Sequence, residues 1–538
     1  MTEHSPAAAP PVDDGETTPA GATTHDAGVP RALARLMSGG WSGPDDGELS
    51  RPQAVAPYAA KRRATLASHF PGEVLVVPTG GLVRRANDTD FPFRAGSDYA
   101  WLVGDLEADG VCVLWPDRHV VHAPARSARG TTAEPADEPA DETLAADEPP
   151  EEPSDEPSAA AMAFFADRRY GELWVGPRRG PAELAAAFAV EASPLADLAA
   201  SLADTTLPIR VLRGVDPSVD ALVGARDKAD AELAQVLSEL RLVKDDIEVA
   251  ALEEAVAATV TGFGEVVAEL GRAAGLPNGE RWLEGTFWRR SRVDGNDVGY
   301  GSIVACGAHA TTLHWVRDDG PVREGDLVLL DMGVESRSLY TADVTRTLPV
   351  SGRFTEPQRR VYDVVARAQQ AGIAAVRPGA DYLAPHRAAM RVCVEALLAW
   401  GLLDPAHTAT VKEADPADPE GPQVEVAKAG IDALLADQLH RRWTLHGTSH
   451  HLGLDVHDCA HAREEHYRKG TLEAGMVITV EPGLYFQGDD MLAPAELRGI
   501  GVRIEDDVLV TTDGCRVLSA ALPTEAGEVE AWVTRLRS

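Results

Sequence analysis

The sequence predicts an α/β protein of two domains, and three observations support this expectation. First, a chain of 538 residues is long enough for two or three domains. Second, the segment from Tyr58 to Val121 alternates a basic, helix-like stretch with apolar, strand-like stretches. Third, a long helical region begins near Ser218, and strand-like stretches dominate from Gly299 onward. Short apolar strands that alternate with helices are typical of α/β architectures.

The first domain is assigned to residues 51–239. A helix is predicted at AKRRATLASHF, and strands are predicted at EVLVVPTG, YAWLVG, GVCVLWP, ELWVGP and IRVLRG. Residues 1–50 are predicted to be a disordered tail, because their first part is rich in Pro, Ala, Gly, Thr and Asp. Residues 126–160 are predicted to be an acidic, disordered surface insert, because their repeated EPADE and DEP units offer nothing that can pack.

The second domain is assigned to residues 240–538. Asp245 and Glu248 have the spacing of a capping box, so a helix is expected to restart there. Residues 404–430 are predicted to be a polar, Pro-rich insert. The remaining elements are strands at YGSIVACG, DLVLLDMG and TRTLPV, then helices from Glu356 to Val376 and from Leu383 to Trp400.

Composition excludes several classes of partner. The chain has 85 acidic and 50 basic residues and a net charge of −35, which disfavours nucleic acid and anionic membranes. Its five cysteines are scattered without a CxxC pair, which favours a reducing compartment. The N-terminal segment lacks the pattern of a signal peptide, and no apolar stretch reaches the ~18 residues of a membrane span. These features predict a cytoplasmic protein.

Five potential metal ligands in the C-terminal half carry the main functional signal. Each lies on an apolar strand or beside a Gly, Thr or Pro turn element. Bare charges in such surroundings would be costly to bury, and a pair of divalent cations would remove that cost. Carboxylates with a single imidazole suit Mn²⁺ or Co²⁺ better than a thiolate-type zinc site. The five residues are Asp331, Asp343, His450, Glu481 and Glu505.

Simpler interpretations exist for the candidates other than Glu481. Asp331 alone is typical of a strand-end turn and Asp343 of a surface acid, but a strand–turn–strand unit would place both side by side, where they would raise each other's pKa. Arg503, two residues before Glu505, offers that carboxylate a salt bridge instead of a metal.

The histidine-rich stretch HGTSHHLGLDVHD also has a simpler interpretation. His446 and His450 have the spacing of a helical zinc pair, but the glycines within this stretch disfavour a helix. A lone histidine on an apolar segment is usually a core residue, whereas four histidines within twelve residues are not a core pattern.

At this point a family resemblance is visible. The motifs LLDMG, DVTRT, HGTSHHLGLDVHD, TVEPGLY and RGIGVRIEDD occur in the order typical of the aminopeptidase P branch (Xaa-Pro aminopeptidases) of the creatinase/methionine aminopeptidase superfamily. The resemblance runs from about residue 56 to the C-terminus, outside the tail and the two inserts. The stretch RANDTDFPFRAGSDYAWLVGDLEADGVCVL resembles that branch's N-terminal domain, which methionine aminopeptidases lack.

The resemblance implies a fold and a set of roles. It implies an N-terminal creatinase-like α/β domain that contributes to oligomers, followed by a C-terminal pita-bread α+β catalytic domain. Asp331 would bind one metal, Asp343 and Glu505 would bridge both, and His450 and Glu481 would complete the second. The remaining site residues are His314 and His457 as catalytic histidines near the substrate, and His446, His451, Tyr485 and Arg503 as substrate-binding residues.

The expected activity is release of the N-terminal residue from peptides with proline in the second position. A metal-bridging hydroxide would attack the scissile carbonyl, Glu481 would shuttle the proton, and His314 and His457 would stabilise the oxyanion. The cofactors would be two divalent ions, Mn²⁺ first and Co²⁺ or Zn²⁺ as alternatives, in a homodimer or homotetramer. Three other possibilities stay open: a prolidase restricted to dipeptides, an inactive peptide-binding member, and metal-free creatinase-like chemistry.

Overall fold

The computed structural model describes residues 29–42, 47–127, 158–414 and 423–537. The chain divides into two compact units, Met1–Asp230 and Ala231–Ser538. The division falls inside a helix, nine residues before the boundary predicted from the sequence at 239/240. Among the helices of these ranges, none combines the length and the apolar character that crossing a lipid bilayer requires.

The N-terminal unit contains a mixed five-stranded sheet flanked by helices. Its strands are β1 (Val74–Pro78), β2 (Arg84–Ala86), β3 (Thr89–Asp90), β4 (Val111–Leu114), β5 (His119–Ala123), β6 (Glu191–Pro194) and β7 (Ile209–Val211). Its helices are α1 (Arg31–Met37), α2 (Ala56–His69), α3 (Ser97–Val103), α4 (Ala159–Ala166), α5 (Glu172–Val175), α6 (Pro181–Phe188), α7 (Leu198–Ala203) and α8 (Pro217–Leu222).

The sheet of this unit has the order β6-β5-β4-β1-β7. The central strand β1 is buried along its whole length, pairing antiparallel with β4 and parallel with β7. A strand with neighbours on both edges and helices on both faces needs a continuous run of apolar side chains, which VLVVP supplies.

Two predicted strands of this unit are helices. YAWLVG forms α3 and ELWVGP forms α5. The physical reason lies at the glycine that ends each helix. Gly104, with φ of 86° and ψ of −6°, forms a left-handed cap, and Gly176, with φ of 88° and ψ of 172°, takes a positive φ that favours glycine and leads the chain out of the helix. The strand predictions for these two segments are therefore wrong, because the periodicity of a short apolar run does not distinguish a strand from a buried helix.

Helix α1 differs from the prediction of a disordered tail over residues 1–50. Ala34 on this helix packs in a cluster with Phe164 and Phe165 of α4, and the edge of Trp41 meets Phe164 with the ring centroids 5.3 Å apart. The helix is therefore fixed by burial of its apolar side. Residues 1–28 of the predicted tail, and residues 128–157 of the predicted acidic insert, lie outside the described residues.

The C-terminal unit begins with long helices and continues into several small antiparallel sheets. Its helices are α9 (Asp227–Arg241, which spans the boundary), α10 (Asp246–Ala268), α11 (Leu270–Ala273), α12 (Gly279–Asp294), α13 (Glu356–Ala375), α14 (Ala384–Ala399), α15 (Ile431–Ala436) and α16 (Ala526–Leu536). Its strands are β8 (Asp297–Val298), β9 (Ile303–Cys306), β10 (Leu327–Met332), β11 (Val334–Glu335), β12 (Val344–Pro349), β13 (Thr408–Glu413), β14 (Val424–Ala429), β15 (Val477–Val480), β16 (Gly483–Tyr485), β17 (Gly501–Arg503), β18 (Asp506–Val510) and β19 (Cys515–Val517).

The predicted restart of the helix at Asp245 is confirmed. The Asp245 carboxylate accepts hydrogen bonds from the backbone N–H groups of Ile247 and Glu248, and the Glu248 carboxylate accepts one from the N–H of Asp245. The sheets that follow have the orders β12-β10-β9 and β15-β18-β19, with β16 and β17 as a separate pair. Four of the five candidate ligands lie on these strands or directly beside their ends: Asp331, Asp343, Glu481 and Glu505.

The predicted polar insert at 404–430 contains regular structure. Strands β13 and β14 form an antiparallel ladder from Thr408↔Ala429 to Glu413↔Val424. The strands TATVKE and VEVAKA contain the β-branched residues Thr and Val, a strand signal that the surrounding prolines concealed.

Candidate metal centre

Two aspartates are brought together by the hairpin of β10 and β12. Asp331 lies near the end of β10, and Asp343 lies just before β12. The antiparallel register pairs Asp331 with Thr345 and Met332 with Val344, so both carboxylates belong to the same end of the hairpin. Both residues are buried.

A tyrosine links the two aspartates. The hydroxyl of Tyr300 lies 2.7 Å from Oδ1 of Asp331 and 2.5 Å from Oδ1 of Asp343. A hydroxyl carries one proton, so it cannot fully satisfy two carboxylates unless one of them is protonated or the hydrogen is shared. Burial also raises the pKa of Asp343 to about 6, although His450 opposes the shift. No motif or spacing pattern had pointed to Tyr300.

Glu505 joins this pair from the second half of the unit. It lies between β17 and β18, and its Oε2 accepts a hydrogen bond of 2.7 Å from the Thr345 hydroxyl. Its own N–H donates to the carbonyl of Thr345 at 3.1 Å. Burial, followed by the charge of Asp343, raises the pKa of Glu505 well above its ordinary value. Such a carboxylate needs a proton or a cation as a partner.

The alternative in which Arg503 forms a salt bridge with Glu505 is not what the structure has. Arg503 pairs with Asp331 and donates at 3.0 Å to the hydroxyl of Tyr485. Strand β17 ends at Arg503, so the alternation that would place residues 503 and 505 on one face stops there.

His450 completes the central cluster. Its Nε2 lies 3.2 Å from Oδ2 of Asp343 and 3.7 Å from Oε1 of Glu481. Asp343, His450 and Glu505 each offer one ligand atom, and these three atoms lie within 4.8 Å of one another. Burial lowers the pKa of His450, but the hydrogen bond with Asp343 and the nearby carboxylates outweigh it and raise that pKa to about 9.

Glu481 approaches the cluster from the end of β15. Its Oε2 lies 3.4 Å from Nδ1 of His446, and its N–H donates to the carbonyl of Thr448. Burial alone would raise the pKa of Glu481, yet the neighbouring His446, followed by His450, lowers it. The predicted acid is therefore held as a carboxylate at the edge of the cluster.

The two predicted catalytic histidines border the same cavity. His314 lies on the loop between β9 and β10, and His457 lies on the loop that follows His450. The rings of His450 and His457 meet edge to face at 4.5 Å. Burial lowers the pKa of His457, so the imidazole is neutral at pH 7 and available as a hydrogen-bond partner.

The four predicted substrate-binding residues divide into two pairs. His446 and Arg503 line the cavity. Tyr485 is buried behind them, where its hydroxyl lies 2.8 Å from Nε2 of His446, and it does not line the cavity. His451 is 1% exposed and also does not line it. His451 forms an antiparallel bridge with Ile478, and successive side chains of an extended segment point to opposite sides, so the rings of His450 and His451 face opposite ways.

All five predicted ligands line a single cavity of about 790 Å³. Several lining residues were not found from the sequence, because isolated aromatic and basic residues carry no spacing pattern. Their contacts also join distant parts of the chain: Nδ1 of His386 lies 2.8 Å from the hydroxyl of Thr448, which is 62 positions away. Besides Tyr300, these residues are Tyr382, His386, Tyr467 and Arg468.

The residues present fit divalent cations. Asp331, Asp343, Glu481 and Glu505 are carboxylates, and only one imidazole joins them, which is a donor set for hard or intermediate metals. The raised pKa values of Asp343 and Glu505 show that these carboxylates lack enough positive charge from the protein itself. Bound cations would supply that charge.

The fold and the set of candidate ligands are typical of a metallopeptidase. The family model "Metallopeptidase family M24" matches residues 250–512, and the model "Aminopeptidase P, N-terminal domain" matches residues 59–130. The chain is 49% identical over 516 residues to Xaa-Pro aminopeptidase 1 of Streptomyces coelicolor, covering 95% of this chain and 93% of that protein. It is 47% identical over 504 residues to Xaa-Pro aminopeptidase 2 of the same organism, covering 94% and 96%.

Solved structures agree with these relatives. The chain superimposes on the aminopeptidase PepP of Pseudomonas aeruginosa with a TM-score of 0.70 and 26% sequence identity, covering 90% of this chain and 99% of that one. The chain belongs to the metallopeptidase family M24, in its aminopeptidase P group. The predicted fold class, a creatinase-like N-terminal domain followed by a pita-bread catalytic domain, is confirmed.

Proposed function

We propose that this protein is a metal-dependent Xaa-Pro aminopeptidase, which releases the N-terminal residue from peptides with proline in the second position. The observation that carries the proposal is the convergence of ligand atoms from Asp343, His450 and Glu505 within 4.8 Å, with Asp331 and Glu481 lining the same cavity. The relatives named Xaa-Pro aminopeptidase, at 47–49% identity, support the same activity.

Five residues would hold two divalent cations: Asp331, Asp343, His450, Glu481 and Glu505. When bound, such ions supply Lewis acidity, which activates water near neutral pH and polarises a carbonyl group. The oxygen-rich donor set supports Mn²⁺ as the native metal, ahead of Co²⁺ or Zn²⁺.

Side chains of the protein would transfer the proton of the attacking water and stabilise the negative charge that develops on the carbonyl oxygen. Glu481 is a carboxylate with a lowered pKa, so it can accept a proton from the attacking water and pass it to the leaving nitrogen. His314 and His457 border the cavity and would donate hydrogen bonds to the carbonyl oxygen as it becomes negative. His446 lies 3.4 Å from Glu481 and holds this carboxylate in place.

A proline nitrogen has no N–H, so the part of the site that receives it needs apolar surface more than an acceptor. Ile303, Leu313 and Val316 line the cavity together with His314 and supply such surface. An alternative is a prolidase, which performs the same chemistry on dipeptides, and a comparison of substrates separates the two.

The proposal extends to partners and location. The net charge of −35 argues against nucleic acid and anionic membranes as partners. All five cysteines are free, as suits the reducing cytoplasm. A homodimer or homotetramer is proposed on the family resemblance.

The test uses protein stripped by a chelator and reloaded with Mn²⁺. We expect cleavage of an Xaa-Pro tripeptide to disappear and return, with little cleavage of the matched Xaa-Ala tripeptide. Cleavage of only the Xaa-Pro dipeptide would favour the prolidase, and no bound metal with no cleavage would favour an inactive peptide-binding protein.

Variants sharpen this test. Glu481→Gln should reduce turnover by at least ~10²-fold while the protein stays folded, whereas Glu473→Gln, at an exposed acid of the same region, should behave like the wild type. Activity that survives in Asp343→Ala combined with Glu505→Ala would refute the two-metal site.

A further inference from the structure

One wall of the catalytic cavity is a long loop. The chain between β9 and β10 passes through residues 307–320, and Leu313, His314 and Val316 of this loop line the cavity. His314 and Val316 are exposed, whereas Trp315 between them is only partly exposed and turns to the opposite side. What holds this loop decides where the His314 imidazole meets a substrate.

A single buried carboxylate holds the loop at several points. Glu280, near the start of α12, is fully buried. Its Oε1 accepts from the N–H of Cys306 and from Nδ1 of His309, both at 2.8 Å. Its Oε2 accepts from the N–H of Gly320 at 2.6 Å and from the indole N–H of Trp315 at 3.0 Å.

These four donors come from the beginning, the middle and the end of the loop, so one side chain ties the whole segment to α12. A carboxylate can only accept hydrogen bonds, so Nδ1 of His309 must carry its proton toward Glu280. The arrangement is further fixed by stacking of His309 on Trp315, with ring centroids 3.8 Å apart and planes 21° apart.

The contact at Trp315 is the one that reaches His314. When the Trp315 indole is drawn toward Glu280, the side chains of its two sequence neighbours face the other way, toward the cavity. The guanidinium of Arg317 lies over the outer side of the Trp315 ring at 5.3 Å and closes this cluster.

We propose that Glu280 is a positioning residue of the peptidase reaction, which fixes loop 307–320 so that His314 reaches the substrate carbonyl. It does not itself contact substrate, because it is fully buried beneath the loop and absent from the cavity lining. The role of the loop in catalysis rests on the proposed function, whereas the anchoring of the loop does not.

The kinetic test is a double-mutant cycle. Glu280→Gln keeps the shape but places an NH₂ group against two N–H donors, which loosens the loop. We expect kcat to fall ~10- to 100-fold with KM changed less than ~3-fold, since misplacement of a catalytic group by ~1 Å has effects of this size. In a His314→Ala background the same substitution should change kcat less than ~3-fold. Fully multiplicative losses would overturn the proposal.

A second measurement does not depend on activity. Hydrogen–deuterium exchange should accelerate within residues 307–320 of Glu280→Gln, while exchange in the β15–β18 region and the metal content stay at wild-type values. Unchanged exchange in the loop would overturn the proposal. Glu284→Gln, one turn further along the same helix, is the matched control and should leave the exchange unchanged.

Trp315→Phe is the variant to use where Glu280→Gln does not fold, because it removes only one of the four hydrogen bonds. It should reproduce a smaller fall in kcat that again disappears in the His314→Ala background, and a fall that persists there would count against the proposal. Absence of Xaa-Pro cleavage in the wild type would refute the proposed function, while the exchange experiment would still decide whether Glu280 anchors the loop.

Discussion

Nε2 of His450 lies 3.2 Å from Oδ2 of Asp343, and the two form an ion pair inside the catalytic cavity. The pKa of His450 is raised to about 9, and burial raises that of Asp343 to about 6. Without metal, the imidazole is therefore a cation and the carboxylate an anion between roughly pH 6 and pH 9. A metal ion that takes His450 as a ligand must displace this proton.

Metal affinity should accordingly rise with pH. The raised pKa of His450 means that the proton is bound at pH 7 and lost only toward pH 9, so the apparent affinity for Mn²⁺ should increase up to ~10-fold per pH unit over this interval. Calorimetry in two buffers of different ionisation enthalpy should detect at least one proton released at pH 7. Release of no proton at pH 7 would contradict the assignment. His461→Gln, at an exposed histidine, serves as the control.

Tyr300→Phe should lower the free energy of unfolding of the metal-free protein more than that of the metal-loaded protein. Its hydroxyl contacts Asp331 and Asp343, and burial raises the pKa of Tyr300 well above its ordinary value, so it stays a donor. Loss of hydrogen bonds to charged groups should cost ~2 kcal/mol in free energy of unfolding after chelation, and less when cations neutralise the carboxylates.

Denaturant unfolding of Tyr300→Phe with and without Mn²⁺ measures this difference. Tyr340→Phe is the matched control, since its hydroxyl donates at 2.9 Å to Glu248, away from the metal site. The cost of the Tyr340→Phe change should be the same in both states. Equal costs for Tyr300→Phe with and without metal would refute the prediction.

His451→Phe should make the protein more resistant to acid. His451 is 1% exposed, its ring nitrogens have no hydrogen-bond partner, and it stacks on Tyr382 at 5.2 Å. Burial, with a further contribution from Lys244, lowers the pKa of His451 to about 3. Because this pKa is lowered on folding, the neutral imidazole contributes stability that is fully present above pH 6.5 and is lost as the pH falls toward 3. At pH 5 the loss should be about 2 kcal/mol in free energy of unfolding.

Thermal unfolding at pH 7.5 and pH 5 checks this. The drop in Tm between the two pH values should be smaller in His451→Phe than in the wild type, and His461→Gln should retain the wild-type drop. An unchanged pH dependence in His451→Phe would show that another group is responsible.

Asp458→Ala should be strongly destabilising. Asp458 is buried against Arg241 and against the Nζ of Lys244, which lies 3.2 Å away, and these cations hold its pKa well below its ordinary range although burial opposes them. Removing this carboxylate takes a counter-ion from two buried cations, which should lower the free energy of unfolding by ~3–5 kcal/mol.

The matched control for Asp458→Ala is Asp455→Ala. Asp455 pairs with the same Arg241 at 3.0 Å, but its side chain is 41% exposed, so its loss should cost about 1 kcal/mol or less. Urea unfolding curves of the two variants give the comparison, and similar costs would argue against a buried ion cluster.

The candidate ligands could be selected from the sequence because each stands on an apolar strand or beside a turn element. Asp331 near the end of LVLLDM and Glu481 directly after VITV are of this kind, and the structure brings both into one cavity. Tyr300 and Glu280 could not be predicted, because their roles depend on contacts with residues 26 to 43 positions away. Spacing patterns describe neighbours within one element and contain no record of such contacts.

The hydrogen bond between Thr345 and Glu505 connects two stretches of chain that contribute different ligands. A polypeptide cut within residues 404–430 would leave Asp331 and Asp343 on one fragment and His450, Glu481 and Glu505 on the other. Neither fragment alone would contain a complete set of ligands. Tight binding of Mn²⁺ by a mixture of the two fragments would therefore show that they had reassociated.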